Sequence, residues 1–588
     1  MAKFRLFEQY RGLRKELYVL TFGRMMTNLG SMIFPIFTLI LSQKLGFNAQ
    51  TIAIFWMVYS LVSIPISLLG GKLADSFNKK YIIIICDLVS VAAFIYCFFA
   101  EINIVNIFIF TGASLFQSIE WPAYDALIAD FTTSKDRERA YSLSYLGANL
   151  GLVLAPTIGG LLFNNYLNLA FLINGVSILL STIMIFMFVK DLSKEKDTSQ
   201  ASEYEQDIDS KSNTFAYIFK NRVVLVYIFI SILASFTYAM YNYLMPLDLT
   251  TAYGDDGSVV FGTMSSVNCI VVVVFTGIIT RLFRRIYDVD KFYFGEILKM
   301  LGYILFFILI KNVVICYVAI VVFTYGEIFN TLASSPFLTR RIPATHRGRV
   351  MAVSNVVVSL AVSGMQIGVG AVYDSPNLGR YFAWGIVVGA GVLTCALITI
   401  IRIFDKKDHP LLYYRKVLED GTVLSIRRTN LRDLNDYYKE FEMDEALFED
   451  PNQMKTYVYS EDTVKKYWNK IRKEKHRENF IIFLDEDPIG EITLKKIVYN
   501  VDCEVSIHLK NDSVKNKGYG YISEKLIVDY AFNRLNMKKV KADSILKNTR
   551  SQHVLEKVGF TKVSNDDRFV YYEICRNWIF LLEIKWFF

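Results

Sequence analysis

Four ionisable residues, Arg24, Asp87, Glu120 and Glu327, lie inside long apolar runs. A charge at the centre of a bilayer-spanning helix costs roughly 2.5–3.5 kcal/mol, so such residues mark proton, ion or substrate pathways by default. Arg24 and Asp87 each fall six or seven residues into their runs from the same side. At a rise of about 1.5 Å per residue both sit roughly 10 Å deep, and matched depth predicts that they pair. Glu120 precedes Trp121-Pro122, where a helix break is expected, and Glu327 follows Gly326 at the corresponding place further along. One carboxylate on each side of the chain's midpoint suits coupling to protons or to a cationic substrate. Glu296 and Lys299 have i,i+3 spacing and are expected to pair with each other, while Asp125 and Asp130 sit nearer the mouth. A different chemistry belongs to Lys515-Asn516-Lys517-Gly518-Tyr519-Gly520, a Gly-rich loop between a strand and a helix. Backbone N–H groups at a helix N-terminus bind a pyrophosphate.

These residues need elements to position them. Of 588 residues, 53% are hydrophobic and 20% charged. That is more apolar and less charged than an ordinary soluble domain, which excludes a wholly soluble or disordered chain. The first 409 residues carry 33 Lys+Arg and 27 Asp+Glu (+6), and the remainder carries 31 and 29 (+2). Neither part is basic enough for nucleic acid. The seven cysteines form no CxxC pair and read as buried small hydrophobes, so no metal site is expected. Runs long enough to span a bilayer lie near 17–41, 52–74, 81–100, 104–128, 141–163, 167–189, 223–247, 259–280, 292–310, 313–336, 350–373 and 381–403. No cleavable leader precedes the first, which is expected to stay as an anchor. The odd-numbered connections contain only Lys44, Lys311 and Arg380, whereas the even ones hold Lys72, Lys79, Lys80, Arg137, Arg139, Arg281, Arg340, Arg347 and Arg349, among others. Excess Lys/Arg marks the cytoplasmic side, which puts both termini and everything after residue 404 there. Arg137-Glu138-Arg139 after the fourth run and Arg347-Gly348-Arg349 after the tenth are echoes that fit two repeated halves.

The loop Gly71-Lys72-Leu73-Ala74-Asp75-Ser76-Phe77-Asn78-Lys79-Lys80 resembles the loop 2–3 signature of the major facilitator superfamily, with Ser76 and Asn78 replacing a basic residue and a glycine. Gly147-Ala148-Asn149-Leu150-Gly151 followed by Ala155-Pro156-Thr157-Ile158-Gly159-Gly160 resembles that family's span-five antiporter signature, with Ala155 in place of a glycine. Small residues let helices approach closely, and Pro156 allows a bend. The likeness covers about residues 10–405 and is to the drug:proton antiporter branch. It implies an export direction, and a loop aspartate, here Asp75, set against the N-terminus of span eleven near Arg349. A helix N-terminus favours an anion by about 0.3–1 kcal/mol. Gly71, Asp75, Lys79, Lys80, Gly151, Pro156, Gly159 and Gly160 then form a conformational switch, and Arg24, Asp87, Glu120 and Glu327 carry transport and coupling.

Beyond a linker at 406–422 the pattern becomes that of a mixed α/β domain, with strands near 423–427, 479–484, 490–497, 504–509 and 540–546 and helices at 430–442, after the Gly-rich loop, and at 551–557. Lys515-x-x-Gly518-x-Gly520, Asn548-x-x-Ser551 and Glu556-Lys557-x-Gly559-Phe560, in that order, resemble the GNAT N-acetyltransferase superfamily over about 423–574. The resemblance implies acetyl-CoA as cofactor. It would be held by Lys515, Asn516, Lys517, Gly518, Tyr519 and Gly520, by the strand carrying Ile507 and Leu509, and by Asn548. Amine acetylation needs a base and an acid. Glu504 is the candidate base; Ser551 and His508 are further candidates. Many family members place a tyrosine acid four residues after the serine, where this chain has Leu555.

The expected fold is an all-α polytopic bundle of twelve transmembrane helices in two pseudo-symmetric halves, fused to an α+β GNAT domain. Its parts are a first half (1–189), a central loop (190–222), a second half (223–405), a linker (406–422), the acetyltransferase (423–575) and an apolar tail (576–588) too short to span. The expected partners are the lipid bilayer of the cell membrane, a small-molecule substrate and protons. Three arrangements fit: an exporter whose tail acetylates an amine, an exporter gated by a non-catalytic acyl-CoA sensor, and an importer feeding the enzyme.

Overall fold

The computed structural model describes residues 12–132, 137–189, 214–283, 286–339, 341–342, 344–408, 414–443, 457–485 and 487–576. The first apolar run does not form a single helix. It divides into α1 (Lys15–Gly30) and α2 (Ile33–Leu39), followed by a π turn over Ile40–Lys44. Then come α3 (Ala49–Ser76), α4 (Lys79–Phe99), α5 (Ile104–Asp130), α6 (Arg137–Leu152), α7 (Ala155–Leu162) and α8 (Leu167–Phe188). The second half consists of α9 (Thr214–Lys220), α10 (Arg222–Tyr253), α11 (Gly257–Leu282), α12 (Asp288–Ile308), α13 (Val313–Thr339), α14 (Ala344–Tyr373) and α15 (Gly379–Asp408). Asparagines start several helices: Asn48, Asn78 and Asn221 each accept a hydrogen bond from a first-turn N–H, satisfying donors the helix leaves open.

Among the described residues ten stretches are long and apolar enough to cross a membrane, and one of them, Arg222–Thr280, is 59 residues long and contains α10 and most of α11. α12 is not among them because Lys291, Glu296 and Lys299 interrupt it; it is nonetheless a 21-residue helix packed on α13. Pro156 does its expected work, since span five stops at Leu152 and restarts at Ala155 with the proline in the first turn. The break expected at Pro122 is absent: α5 runs through it unbroken. No irregularity interrupts α13 at Gly326 either. α14 begins at Ala344, five residues before the start expected near Arg349.

The C-terminal domain is an eight-stranded sheet in the order β1-β2-β3-β4-β5-β6-β8-β7. The strands are β1 (Arg415–Val417), β2 (Val423–Arg428), β3 (Glu478–Leu484), β4 (Asp487–Val498), β5 (Asp502–Leu509), β6 (Lys539–Ile545), β7 (Thr561–Asn565) and β8 (Phe569–Cys575). β1 pairs with β2 inside the segment expected to be a linker. Helices α16 (Leu431–Lys439) and α17 (Glu461–Ile471) cover one face through Leu434, Tyr437, Val464, Ile481 and Phe483. Helices α18 (Tyr519–Asn533) and α19 (Thr549–Val558) cover the other through Ile527, Leu555, Ile492, Val505 and Val540. Among the described residues only β5 and β6 run parallel, and they pair from Asp502↔Lys539 to Glu504↔Lys541. Beyond Glu504 they part and open a wedge in the sheet. All but the first residue of the apolar tail (576–588), most of the central loop and residues 133–136 lie outside the described residues.

Candidate functional site

The first-half charges assemble differently from the depth argument. Arg24 does not pair with Asp87. Its guanidinium lies 3.5 Å from Asp125, donates to Ser144 Oγ at 3.0 Å and stacks over Trp121 at 4.4 Å. Asp87 is buried, accepts from Thr182 Oγ1 at 2.7 Å and shares a hydrogen bond with the carboxyl of Glu120. Two helices thus bring two carboxyl groups together, with Arg24 close enough to act on Glu120 electrostatically. A hydrogen bond between two carboxyl groups requires a proton on one of them.

In the second half, Glu327 accepts from Tyr238 Oη at 3.2 Å and Asn268 Nδ2 at 2.8 Å, and Asn268 also reaches Thr324. Tyr145 of the first half lies within electrostatic reach of Glu327. Glu296 and Lys299 pair at 2.7 Å as their spacing predicts. Asn330 supports the carboxylate, while Ala234 O and Thr237 accept from the ammonium.

Among the switch residues, Lys79 pairs with Asp130 at 2.7 Å, and Lys80 donates to the carbonyls of Phe186 and Val189 at the end of α8. The side chain of Asp75 is outside the described set. A Cβ added to Gly71 would meet nothing, whereas at Gly70 it would come within 2.7 Å of Ile119 Cα; the tight contact is one residue earlier than the signature suggests. At Gly151, Gly159 and Gly160 an added Cβ would approach the carbonyl oxygens of Met25, Met32 and Ser258 to 2.3, 2.6 and 2.5 Å. The last of these contacts joins the two halves. Asp374, just past α14, joins them too: its oxygens accept from Ala49 N at 3.0 Å and Gln50 N at 2.8 Å at the start of α3, and Tyr243 Oη donates to Ala49 O. Fully buried Asp248 gathers Arg380, Tyr373 and Trp384 at 2.6–2.8 Å. Neither aspartate carries a sequence signature beyond being acidic at the end of an apolar run.

In the C-terminal domain the wedge is part of a cavity of about 540 Å³. Glu504, Ile507, His508, Leu509, Lys515, Asn516, Gly518, Tyr519, Gly520, Asn548 and Ser551 line it; Lys517 does not and is exposed. Gly518 is the N-cap of α18 at φ 80°, a left-handed conformation that favours glycine. A Cβ at Gly518 or Gly520 would meet no atom within 4 Å, so the space before the helix N-terminus is open for a diphosphate. Lys515 lies beside it, paired with Asp512 at 2.8 Å. Asn548 caps α19, its Oδ1 accepting from Ser551 N, so the cap also positions Ser551. Glu504, Ser506 and His508 alternate on the sheet face under α16 and α17, with Lys495, Thr493 and Glu491 opposite them. Glu504 pairs with Lys496 at 2.7 Å. Burial, with Lys495 and Arg477 nearby, pushes His508 down to about 4, so it is neutral near pH 7. Burial and the Glu504 charge raise Asp543, across the wedge. Glu491 is fully buried, raised by burial, and held by Tyr467 and Tyr438 at 3.0 Å each.

Known proteins align with both parts. A profile of the Major Facilitator Superfamily matches residues 20–365, and one of the Acetyltransferase (GNAT) domain matches 424–561. A Na(+), Li(+), K(+)/H(+) antiporter of Planococcus maritimus is 24% identical over 55% of this chain and 81% of its own length. The quinolone resistance protein NorA of Staphylococcus aureus is 27% identical over 43% of this chain and 65% of its own. A crystal structure of the peptide transporter POT in complex with sulfate superposes with a TM-score of 0.54 at 14% identity, covering 66% of this chain and 94% of that one.

Proposed function

The chain belongs to the Major Facilitator Superfamily, and from that premise we propose a proton-coupled exporter of the cell membrane whose GNAT domain acetylates an amine on the cytoplasmic side. The observation that carries the transport reading is the shared hydrogen bond of Asp87 and Glu120 inside the bundle. A pair that takes up and releases one proton while Arg24 stands nearby can exchange it against a cationic substrate. Relatives named as a cation/proton antiporter and a quinolone resistance protein support both the coupling and the direction. The Lys/Arg bias of the connections supports cytoplasmic termini.

The acetyltransferase reading rests on the parted strands and the loop before α18. The N–H groups at the α18 N-terminus and Lys515 suit the diphosphate of acetyl-CoA, and the freed edge of β5 suits its amide arm. Acetyl-CoA supplies an activated acetyl group. The chain's own part is to orient an amine above Glu504, Ser506 and His508 and to take its proton on Glu504. His508, neutral, accepts or donates a hydrogen bond rather than a charge.

In everted vesicles, proton-gradient-driven uptake of a quinolone or of Na⁺/K⁺ is expected in the wild type and absent in Glu120→Gln, with acetyl-CoA turnover unchanged. Uptake independent of the gradient, or intact in Glu120→Gln, overturns the coupling reading. Acetyl-CoA binding without turnover on any amine would replace the enzyme with a sensor.

A further inference from the structure

Two carboxyl groups border the acyl cavity from opposite faces of the sheet. Glu504 is balanced by Lys496. The other, Glu524, lies on α18 and has no ion-pair partner among the described residues. It is only 2% exposed, lines the cavity, and its Oε2 has no hydrogen-bond partner. An unpaired polar atom in a closed interior is costly, and a leucine in its place would pack without that cost. Leu555 also lines the cavity, at the position where the GNAT resemblance places a tyrosine acid. A leucine has no proton to give. The cavity wall thus lacks a donor at 555 and holds a surplus carboxyl at 524.

We propose that Glu524 is the proton donor of acetyl transfer, standing in for the hydroxyl that Leu555 lacks. The proposal rests on the acetyltransferase reading above. The amine nitrogen forms its bond to the acetyl carbon while the carbon–sulfur bond breaks and leaves its electron pair on sulfur. That sulfur takes the proton of Glu524, the amine's surplus proton passes to Glu504, and solvent carries a proton from Glu504 back to Glu524. Atoms and charge balance without any further reactant. Burial without a cation pushes Glu524 up to about 8, so near neutral pH the carboxyl holds the proton it must give.

The test uses the full chain in nanodiscs. Infrared titration of the wild type is expected to show a carboxylic-acid carbonyl band lost with a midpoint near about 8 and missing in Glu524→Gln. Added CoA is expected to perturb that band. With a mixture of polyamines and amino sugars as acceptors, Glu524→Gln should lower kcat by roughly 10²–10⁴-fold, leave the KM for acetyl-CoA near the wild-type value and erase the alkaline limb of the pH profile. Leu555→Tyr in the Gln background should restore part of kcat. Wild-type kcat and pH profile in Glu524→Gln, or no such band in the wild type at neutral pH, overturns the proposal. The change that CoA makes in the band needs no folded variant: it is read on the wild type alone, and it sets the band apart from the proton that Asp87 and Glu120 share. A wild type that neither binds CoA nor consumes acetyl-CoA would sink the acetyltransferase reading itself, a different failure.

Discussion

A charged side chain in an apolar interior persists only with partners, and the partners decide what it does. Glu296 and Lys299 are closed on each other and on Asn330 and Thr237, which marks a strut. Lys299→Met is expected to destabilise the transporter by about 3–5 kcal/mol, and adding Glu296→Gln should recover most of the loss, because the harm comes from the uncompensated carboxylate. Thermal unfolding in detergent checks this. Asp87 and Glu120 lean on each other instead, and that leaves a proton to move. In the C-terminal domain His508 is depressed from 6.5 to about 4. The unfolded chain therefore binds more protons between those values, and stability rises with pH across the window and is lost as pH falls through it. His508→Gln should flatten the acid limb of the domain's melting curve by up to about 3 kcal/mol. These partnerships were only partly legible in sequence. The i,i+3 spacing found Glu296–Lys299 because one helix fixes both residues. Depth alone mispaired Arg24, because depth says nothing of azimuth: α1 turns that guanidinium toward Trp121 and Asp125 on α5.

At the scale of elements, α3 and α14 pack side by side and carry acidic residues at opposite ends. The family resemblance assigns Asp75 to one end. Asp374 at the other caps α3 from the opposing half through two backbone N–H groups. A side-chain cap contributes about 0.5–2 kcal/mol, enough to shift a two-state equilibrium between about two- and thirtyfold. Asp374→Ala should therefore loosen this end of the bundle. Spin labels at 48 and 376 should report a longer-distance population grown by that factor, while an unchanged distribution would make the contact incidental. The element breaks follow the same local physics where backbone alone decides. Pro156, read as allowing a bend, sits in the first turn of α7, where the helix restarts. Pro122 sits inside α5, which continues through it, as membrane helices tolerate a proline. α17 escaped the sequence reading because its apolar residues, Val464, Trp468 and Ile471, are few among charges, and β1 because three residues form a strand only when β2 lies beside them.

For the whole molecule, the charge census separates an apolar part from a charged one near residue 409. The chain forms two compact units, one of which holds residues 208–402 with most of the first 198 and the other residues 403–588. The spacing of Lys515, Gly518, Asn548 and Gly559 marked a loop that the structure sets at the N-terminus of α18, beside the cavity. What composition could not supply was the wedge between β5 and β6, since parallel pairing that stops after three residues is a property of the assembled sheet. Two units with separate cores and separate acid–base groups should fail separately. Gly518→Asp places a side chain on a left-handed residue and a negative charge where the diphosphate would lie. CoA affinity is expected to fall at least a hundredfold by calorimetry, with gradient-driven transport at wild-type rate. Glu120→Gln should give the mirror result. If Gly518→Asp instead slowed transport as much as it weakened CoA binding, the acyl-binding domain would be part of the transport cycle. The substrate would then be acetylated or sensed as a condition of passage rather than handled by two machines on one chain.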